Sequence, residues 1–286
     1  MTRSAEALAA LFRDACAIEI AALKPGNVHV HAPGHGMTSV DFLRSAQVAA
    51  EPLCRAGASL GARVLAAVTA TRAAVGQNTN LGILLLCAPL AMAAQASAAL
   101  RPALEHVLAE ADAEDAAQVF RAIVLAAPGG LGDAPRHDVR GPVTVTLGEA
   151  MAAAAAHDTI ARQYVTGFAD IFDAGVPIYA AALTRGWSAA WAAVAAYLDF
   201  LAGIPDTHVR RKHGSDVAER VQAEAVSLQR RLAAASRPDD LAGDLLRWDA
   251  DLKRRGLNPG TSADLTVATI FACALQDGLR CGAGNA

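Results

Sequence analysis

The sequence contains few aromatic residues and no strong excess of charge of either sign. Phenylalanine, tryptophan and tyrosine make up 5% of its 286 residues, and the formal net charge is −3. A β-rich fold needs many aromatic and β-branched residues, and a nucleic-acid-binding protein usually carries a strongly basic face. We therefore expect neither a β-rich fold nor a nucleic-acid partner.

Long apolar runs and paired cysteines are also missing. The longest apolar run covers residues 81–94, whereas a membrane-spanning helix needs about 20 such residues. Charges interrupt the amino-terminal segment, so it does not resemble a secretory signal peptide. The five cysteines include no C-x-x-C pair, which is typical of free thiols in a reducing compartment. These features predict a cytoplasmic protein without a membrane partner.

Alanine is abundant: it makes up about a quarter of the residues and is the best helix former. Apolar positions at helical spacing, separated by breaks that contain proline and glycine, predict a string of helices. We expect them over residues 4–23, 39–53, 57–75, 81–94, 98–110, 112–127, 147–165, 166–184, 187–203, 213–235, 238–256 and 262–276. The predicted fold is therefore all-α. We expect one domain over residues 1–286, a multi-helix bundle with its site lined by inter-helix loops.

The first polar break, residues 24–37, combines one cation with three imidazoles and several glycines. Lys24, Asn27, His29 and His35, together with backbone N–H groups, could hold a phosphate. His29 and His31 also form an H-x-H pair that could bind a metal, although this pattern alone is weakly specific.

Two asparagines precede the apolar helix expected at residue 81. Asn78 and Asn80 could bind a ligand at the helix N-terminus, where free N–H groups favour an anion. The alternative is that Asn78 or Thr79 simply caps the helix.

A glycine-rich segment over residues 128–142 includes His137 and Asp138. It is not a dinucleotide fingerprint, because no strand precedes it and the spacing is not G-x-G-x-x-G. It is either a lid over a site or a plain surface loop. Asp158, one turn before Arg162, is either a further site residue or half of a helical ion pair.

Residues 206–214 are the most densely charged segment, with one carboxylate, three cations and two imidazoles. Arg211 and Lys212 could hold a polyphosphate, and Asp206 could bind a metal ion or act as a base. A solvated basic turn is the alternative. Asp264, one turn into the last helix, either complements the helix dipole or points into a site. Together these breaks favour a phosphorylated, anionic ligand.

Five ordered motifs give the sequence a family resemblance. They are Lys24-Pro-Gly-Asn-Val-His29, Asp41-Phe42 with Ser45, Asn78-Thr-Asn80-Leu-Gly82, Asp206-Thr with Arg211-Lys-x-Gly214, and Asn258-Pro-Gly-x-Ser-Ala-Asp264-Leu. The set resembles the triphosphoribosyl-dephospho-CoA synthase family over about residues 10–276. The resemblance implies an all-α pentosyltransferase that joins ATP to dephospho-CoA and releases adenine. The product is the precursor of the prosthetic group of citrate lyase and malonate decarboxylase.

The resemblance also implies roles for the residues of these motifs. Phosphates would be held by Lys24, Arg211 and Lys212, and polar substrate groups by Asn27, His29, His35, Asn78 and Asn80. Asp206 and Asp264 would hold Mg²⁺ or stabilise the cationic sugar, and one of them would serve as the base. The second-tier candidates are His137, Asp138 and Asp158. We expect ATP as a substrate, Mg²⁺ as a cofactor and a homodimer as the assembly.

The central motif departs from the members related to acyl carriers, which read Asn-Thr-His-Lys-Gly where this chain has Asn80 and Leu81. Leucine cannot replace the point charge of a lysine on a phosphate. Residues 128–132, 137–139 and 158–162 instead resemble a branch found in archaea and methylotrophic bacteria. Two alternatives follow. One is a phosphoribosyl-transfer, ligation or phosphohydrolysis step in the biosynthesis of a pterin-type or furan-type one-carbon carrier. The other is a nucleotide-binding helical protein without catalysis.

Overall fold

The computed structural model describes residues 3–96, 99–128 and 138–277. These residues form helices joined by turns, and their only extended pairings are isolated bridges at His29–Ala32 and Gly34–Met37. The predicted all-α class is confirmed. Within these ranges, no helix combines the length and the hydropathy that a membrane span requires.

The described residues divide into two compact units that alternate along the chain. Unit 1 draws on residues 1–14 and 41–169, and unit 2 on residues 15–40 and 170–286. The expectation of one domain over residues 1–286 stays a prediction. The helices are α1 Ala5–Ala21, α2 Ser39–Cys54, α3 Leu60–Val75, α4 Leu81–Ala93, α5 Leu100–Glu110, α6 Ala113–Ala126, α7 Leu147–Ala154, α8 Thr159–Thr166, α9 Val176–Thr184, α10 Ala189–Gly203, α11 Thr207–His213, α12 Ser215–Ala234, α13 Ala242–Arg254 and α14 Gly260–Asp277.

The core of unit 1 is built around α4, which is apolar on every side and therefore buried. Leu84, Leu86 and Leu90 of this helix are inaccessible to solvent. Helix α4 packs against α3, α5 and α8, and α3 packs against α6. The Tyr164 hydroxyl of α8 donates to Leu85 O at 2.7 Å, which fixes α8 against the core helix.

The core of unit 2 is built around α10, which packs against α9, α12 and α14. A Cβ on Gly175, just before α9, would lie 2.3 Å from Thr269 Oγ1 of α14, so only glycine permits this close approach. Tyr197 of α10 is buried, and its hydroxyl donates to Pro25 O at 2.6 Å. The core helix therefore also fixes the loop that follows α1.

The predicted helices differ from the structure mainly at their breaks. The helix expected over residues 147–165 is two helices, because Asp158 caps a new one by accepting from Ile160 N and Ala161 N. The helix expected over residues 166–184 starts with a π-helical turn, Asp170–Gly175, and the one expected over residues 238–256 starts with a 3₁₀ turn, Pro238–Leu241. Residues 208–212 are expected to lie in a charged segment between two helices and instead form most of α11, which is capped by Asp206.

Candidate functional site

A buried ion pair anchors the glycine–histidine loop, residues 24–37, in unit 2. Lys24 is 0% exposed, and its Nζ lies 2.8 Å from Glu19 Oε1 of α1. The same Nζ donates to Val28 O at 2.6 Å and to Asn27 Oδ1 at 3.2 Å. Three acceptors thus match the three protons of the ammonium group. Lys24 shapes the loop in this arrangement, and its role in holding phosphate stays a prediction.

Burial and pairing shift the pKa values of Lys24 and Glu19 in opposite directions. Burial lowers the pKa of Lys24 and raises the pKa of Glu19, whereas the contact between the two side chains opposes both shifts. A buried charge is tolerated when it is paired and hydrogen-bonded. Loss of either partner would therefore leave an uncompensated charge inside unit 2.

Asn27 connects the first sequence motif to the last. Its Nδ2 donates to Asn258 Oδ1 at 2.8 Å, while its Oδ1 accepts from Lys24. Both asparagines are buried. The two motifs lie 231 residues apart in the chain and are nevertheless joined directly, so Asn27 has a structural role here. Its role in binding substrate stays a prediction.

A second buried carboxylate, Asp249 of α13, holds the middle of the loop. Its Oδ1 accepts from Gly26 N at 2.9 Å and lies 3.3 Å from His29 Nε2. Lys253, one turn later, donates to Asp249 at 3.0 Å and to Ala32 O at 3.2 Å. Burial raises the pKa of Asp249, but the contacts with His29 and Lys253 outweigh burial, and the pKa is lowered overall.

The loop histidines differ in accessibility. The His29 side chain is fully buried, and burial lowers its pKa although Asp249 acts in the other direction. His35 is exposed, and its Nε2 lies 2.8 Å from Gly26 O. Partial burial of the ring lowers the pKa of His35. Of these two, His35 is the residue that a ligand in solvent can reach.

Asp206 caps α11 and connects it to α14. Its Oδ1 accepts from His208 N at 2.9 Å and Val209 N at 3.1 Å, and its Oδ2 accepts from the backbone N and the Oγ of Ser262, both at 2.8 Å. Burial raises the pKa of Asp206, and these four hydrogen bonds oppose the shift. A carboxylate offers about four lone-pair positions, so Asp206 as arranged has none left for Mg²⁺.

A metal site is not apparent elsewhere in the described residues. Within residues 3–96, 99–128 and 138–277, no three His, Cys, Asp or Glu side chains converge as metal ligands would. Asp264, one turn into α14, is partly exposed. Mg²⁺ as a cofactor and the roles predicted for Asp264 stay predictions.

His208 has a partly buried imidazole and lies on the same short helix, α11, as Arg211 and Lys212. Burial, followed by the charges of Lys212, Arg211, His35 and His213, lowers the pKa of His208 to about 3. Its Nε2 is buried and has no hydrogen-bond partner among the described residues. Arg211 and Lys212 are exposed at the carboxyl end of this short helix. Partial burial and the charge of Arg211 lower the pKa of Lys212.

The asparagines of the central motif lie in unit 1, at the start of α4. Asn78 Oδ1 accepts from Leu81 N at 3.1 Å, which is the capping alternative noted above. Asn80 is buried, and its Nδ2 donates to Thr71 Oγ1 at 3.2 Å. Ser45 and Thr79 share a hydrogen bond of 2.6 Å between their hydroxyl groups. These contacts hold the turn before α4, and a ligand-binding role for either asparagine stays a prediction.

The second-tier residues are less informative. Asp138 Oδ1 accepts from Arg140 N at 2.8 Å, as in an Asx turn. Asp158 is the N-cap of α8, and both the ion pair with Arg162 and a role in the site stay predictions. His137 and residues 129–136, which include most of the predicted lid, lie outside the described residues.

Three residues that hold this region of unit 2 together, Glu19, Asp249 and Lys253, are not among the residues singled out from the sequence, and Ser262 is present there only as part of the fifth motif. Glu19 lies in an otherwise apolar stretch of α1 next to the first motif, which is a signal for a buried acid. Lys253 is one of three lysines in the chain. No comparable signal marks Asp249, because its neighbours in sequence are ordinary charged residues of an amphipathic helix.

Fold and site together describe an all-α protein whose inter-helix loops carry amide, imidazole and basic side chains. The sequence model of the CitG family, ATP:dephospho-CoA triphosphoribosyl transferase, matches residues 5–282. Because the match covers nearly all of the chain, the protein belongs to this family. The resemblance inferred from the five motifs is confirmed, and the protein is an enzyme of the triphosphoribosyl transferase class.

A solved structure supports the same assignment. A protein from Archaeoglobus fulgidus, to which triphosphoribosyl-dephospho-CoA synthase activity has been ascribed, superposes with a TM-score of 0.63. The two sequences are 25% identical, and the alignment covers 82% of this chain and 98% of that chain. No curated protein matches the sequence significantly.

Proposed function

We propose that this protein transfers the triphosphoribosyl group of ATP to a hydroxyl group of dephospho-CoA and releases adenine. In this reaction the bond between the anomeric carbon of the ribose and the adenine nitrogen breaks. A bond between that carbon and the acceptor oxygen forms. The acceptor hydroxyl loses a proton and the departing adenine gains one, so no oxidant, reductant or further co-reactant is required.

The basic cluster on α11 is the observation that supports this proposal most directly. Lys212 and Arg211 are the charged side chains with the largest effect on His208, and both are cationic. Because these two cations are adjacent at an exposed helix end, they repel one another, and a bound polyphosphate would relieve that repulsion. In this proposal Arg211, Lys212 and His35 contact the triphosphate, and Asp264 stabilises the positive charge that develops on the sugar.

The buried residues have a structural role in the proposal. Lys24, Asn27 and Asn258 maintain the shape of the glycine–histidine loop instead of contacting ATP.

Mg²⁺ as a cofactor remains part of the proposal, and assays with and without the metal test it. We also propose that the protein is cytoplasmic and forms a homodimer. Light scattering after size-exclusion chromatography tests the homodimer. The described cysteines, Cys16, Cys54, Cys87 and Cys273, are buried and form no disulfide with one another.

The decisive experiment is a chromatographic assay with ATP, dephospho-CoA and Mg²⁺ that follows adenine and the CoA species. Adenine release together with a new CoA compound supports the proposal. Free phosphate without adenine contradicts it and indicates phosphohydrolysis. If ATP raises the Tm but no product forms, the nucleotide binds and the acceptor is another compound.

A charge variant tests the predicted phosphate contact. Lys212→Met should raise the KM for ATP about tenfold, which corresponds to about 1.4 kcal/mol of lost binding energy. Arg220→Ala removes an equally exposed cation from α12 and is the matched control. An unchanged KM for ATP in Lys212→Met would remove this residue from the donor site.

A further inference from the structure

Helix α13 directs two charged side chains, one turn apart, at the glycine–histidine loop. Asp249 is buried and accepts from Gly26 N at 2.9 Å. Lys253 donates to Asp249 and, at 3.2 Å, to Ala32 O. The pair therefore holds the loop at two separate positions, one before His29 and one after it.

The stem of Lys253 makes a further contact beside His35. A Cβ on Gly34 would lie 3.0 Å from Lys253 Cε, so the stem lies against the backbone of Gly34. Gly26 is held as closely on the other side, since its φ is +82° and a Cβ there would lie 2.8 Å from Pro259 Cδ. His35 follows Gly34, and its Nε2 lies 2.8 Å from Gly26 O. Both backbone segments that determine the place of His35 are thus fixed by α13.

We propose that Asp249 and Lys253 are positioning residues of the transferase, which clamp the glycine–histidine loop so that His35 stays beside the basic end of α11. Neither side chain contacts the substrate, and both act through the loop. The inference rests on the proposed function, because His35 is the loop residue expected to meet the phosphates of ATP. Sub-ångström placement of such groups strongly affects the rate of an enzyme.

The titration of His35 reports on the clamp without any need for turnover. Partial burial is the largest influence and lowers the pKa of His35. The contact with Gly26 O raises it, Lys212 and Lys253 lower it, and the charge of Asp249 raises it least. The charge of a protonated His35 in turn lowers the pKa of His208 in α11. Because burial dominates, release of the loop should raise the pKa of His35 toward its ordinary value of 6.5.

The test compares Asp249→Asn and Lys253→Met with wild type. We expect each to raise the pKa of His35, measured by NMR and assigned with His35→Gln. We also expect kcat/KM for ATP to fall by about tenfold to a hundredfold, with no change in the KM for dephospho-CoA. Lys253→Arg keeps the charge and the donors and should retain activity. Asp251→Asn alters an exposed ion pair on the same helix and is the matched control.

A role in stability alone predicts a different result. In that case the variants would lose thermal stability while kcat/KM for ATP stays at its wild-type value and the pKa of His35 does not rise in Asp249→Asn, and the clamp would be refuted. If Asp249→Asn does not fold, Lys253→Met decides through kcat/KM for ATP, because the loss of its own charge already raises the pKa of His35. Absence of adenine release by the wild-type enzyme would overturn the proposed function, whereas the NMR titration would still decide on the clamp.

Discussion

Asp206→Asn replaces one oxygen of a fully hydrogen-bonded carboxylate with an NH₂ group. The remaining oxygen can still accept from His208 N and Val209 N, because asparagine is as good an N-cap as aspartate. The NH₂ group, however, would face Ser262 N, which is also a donor. A buried N–H without an acceptor costs about 1–3 kcal/mol, and weaker hydrogen bonds at the cap add to this, so we expect a loss of about 2–4 kcal/mol in the free energy of unfolding.

Urea denaturation followed by circular dichroism measures this loss, and a second cap provides the control. Asp158 Oδ1 accepts from Ile160 N and Ala161 N of its own helix α8. Asparagine retains that oxygen, so Asp158→Asn should change the stability by less than about 0.5 kcal/mol. The difference between the two variants isolates the connection from α11 to α14.

One outcome would refute the structural reasoning. If Asp206→Asn has wild-type stability but turns over at least about a hundredfold more slowly, the carboxylate acts in the chemistry as an acid–base group. Ser262→Ala gives an independent check, since it removes only the Oγ donor of the four hydrogen bonds. A structural cap predicts that the effects of the two substitutions on stability are coupled, whereas the turnover of Ser262→Ala stays near wild type.

Two further predictions concern buried charge in unit 2. Lys24→Met leaves Glu19 without its partner and should lower the free energy of unfolding by about 3–5 kcal/mol. The double variant Lys24→Met with Glu19→Leu should lose much less, because no unpaired charge remains buried. Equal losses of the two variants in urea denaturation would contradict this. The folded-state pKa of His208, about 3, lies below its ordinary 6.5, so the unfolded chain takes up the proton first as the pH falls. Stability should therefore decrease by about 1.4 kcal/mol per pH unit from this group between those two values. His208→Gln should flatten the dependence between pH 6.5 and 5, and an unchanged slope would exclude His208 as its source.

Most of the helices could be predicted from the sequence, because apolar spacing and proline or glycine breaks are local signals. The exceptions are the helices whose first residue is determined by a capping side chain. Residues 207–213 carry almost no apolar pattern, yet they form α11 because Asp206 supplies acceptors for two N–H groups of the first turn. The break before α8 has the same origin in Asp158. A cap depends on side-chain geometry that composition and periodicity do not reveal.

The motifs could be located from the sequence, but the contacts that their side chains make within the protein could not. Lys24 was expected to hold phosphate because it is a rare cation in a glycine-rich loop, and in the structure its ammonium group is matched by three protein acceptors. The partners that decide this are Glu19 and, for the rest of the loop, Asp249. Asp249 lies more than 200 residues away in sequence from the N–H group that it accepts, so only the folded chain brings them together.

The burial of Leu81 explains why an apolar residue fits the central motif of this chain. Leu81 is 9% exposed and is the first buried residue of α4, so this position contributes to the core of unit 1 in the present chain. A lysine here would need a route for its charge out of an apolar helix. In unit 2, exposed positive charge is concentrated at the end of α11, where Arg211 and Lys212 lie. The departure from Asn-Thr-His-Lys-Gly therefore places an apolar core residue where the members related to acyl carriers have a lysine, and it leaves the exposed cations of α11 unchanged, as the proposed transferase chemistry requires.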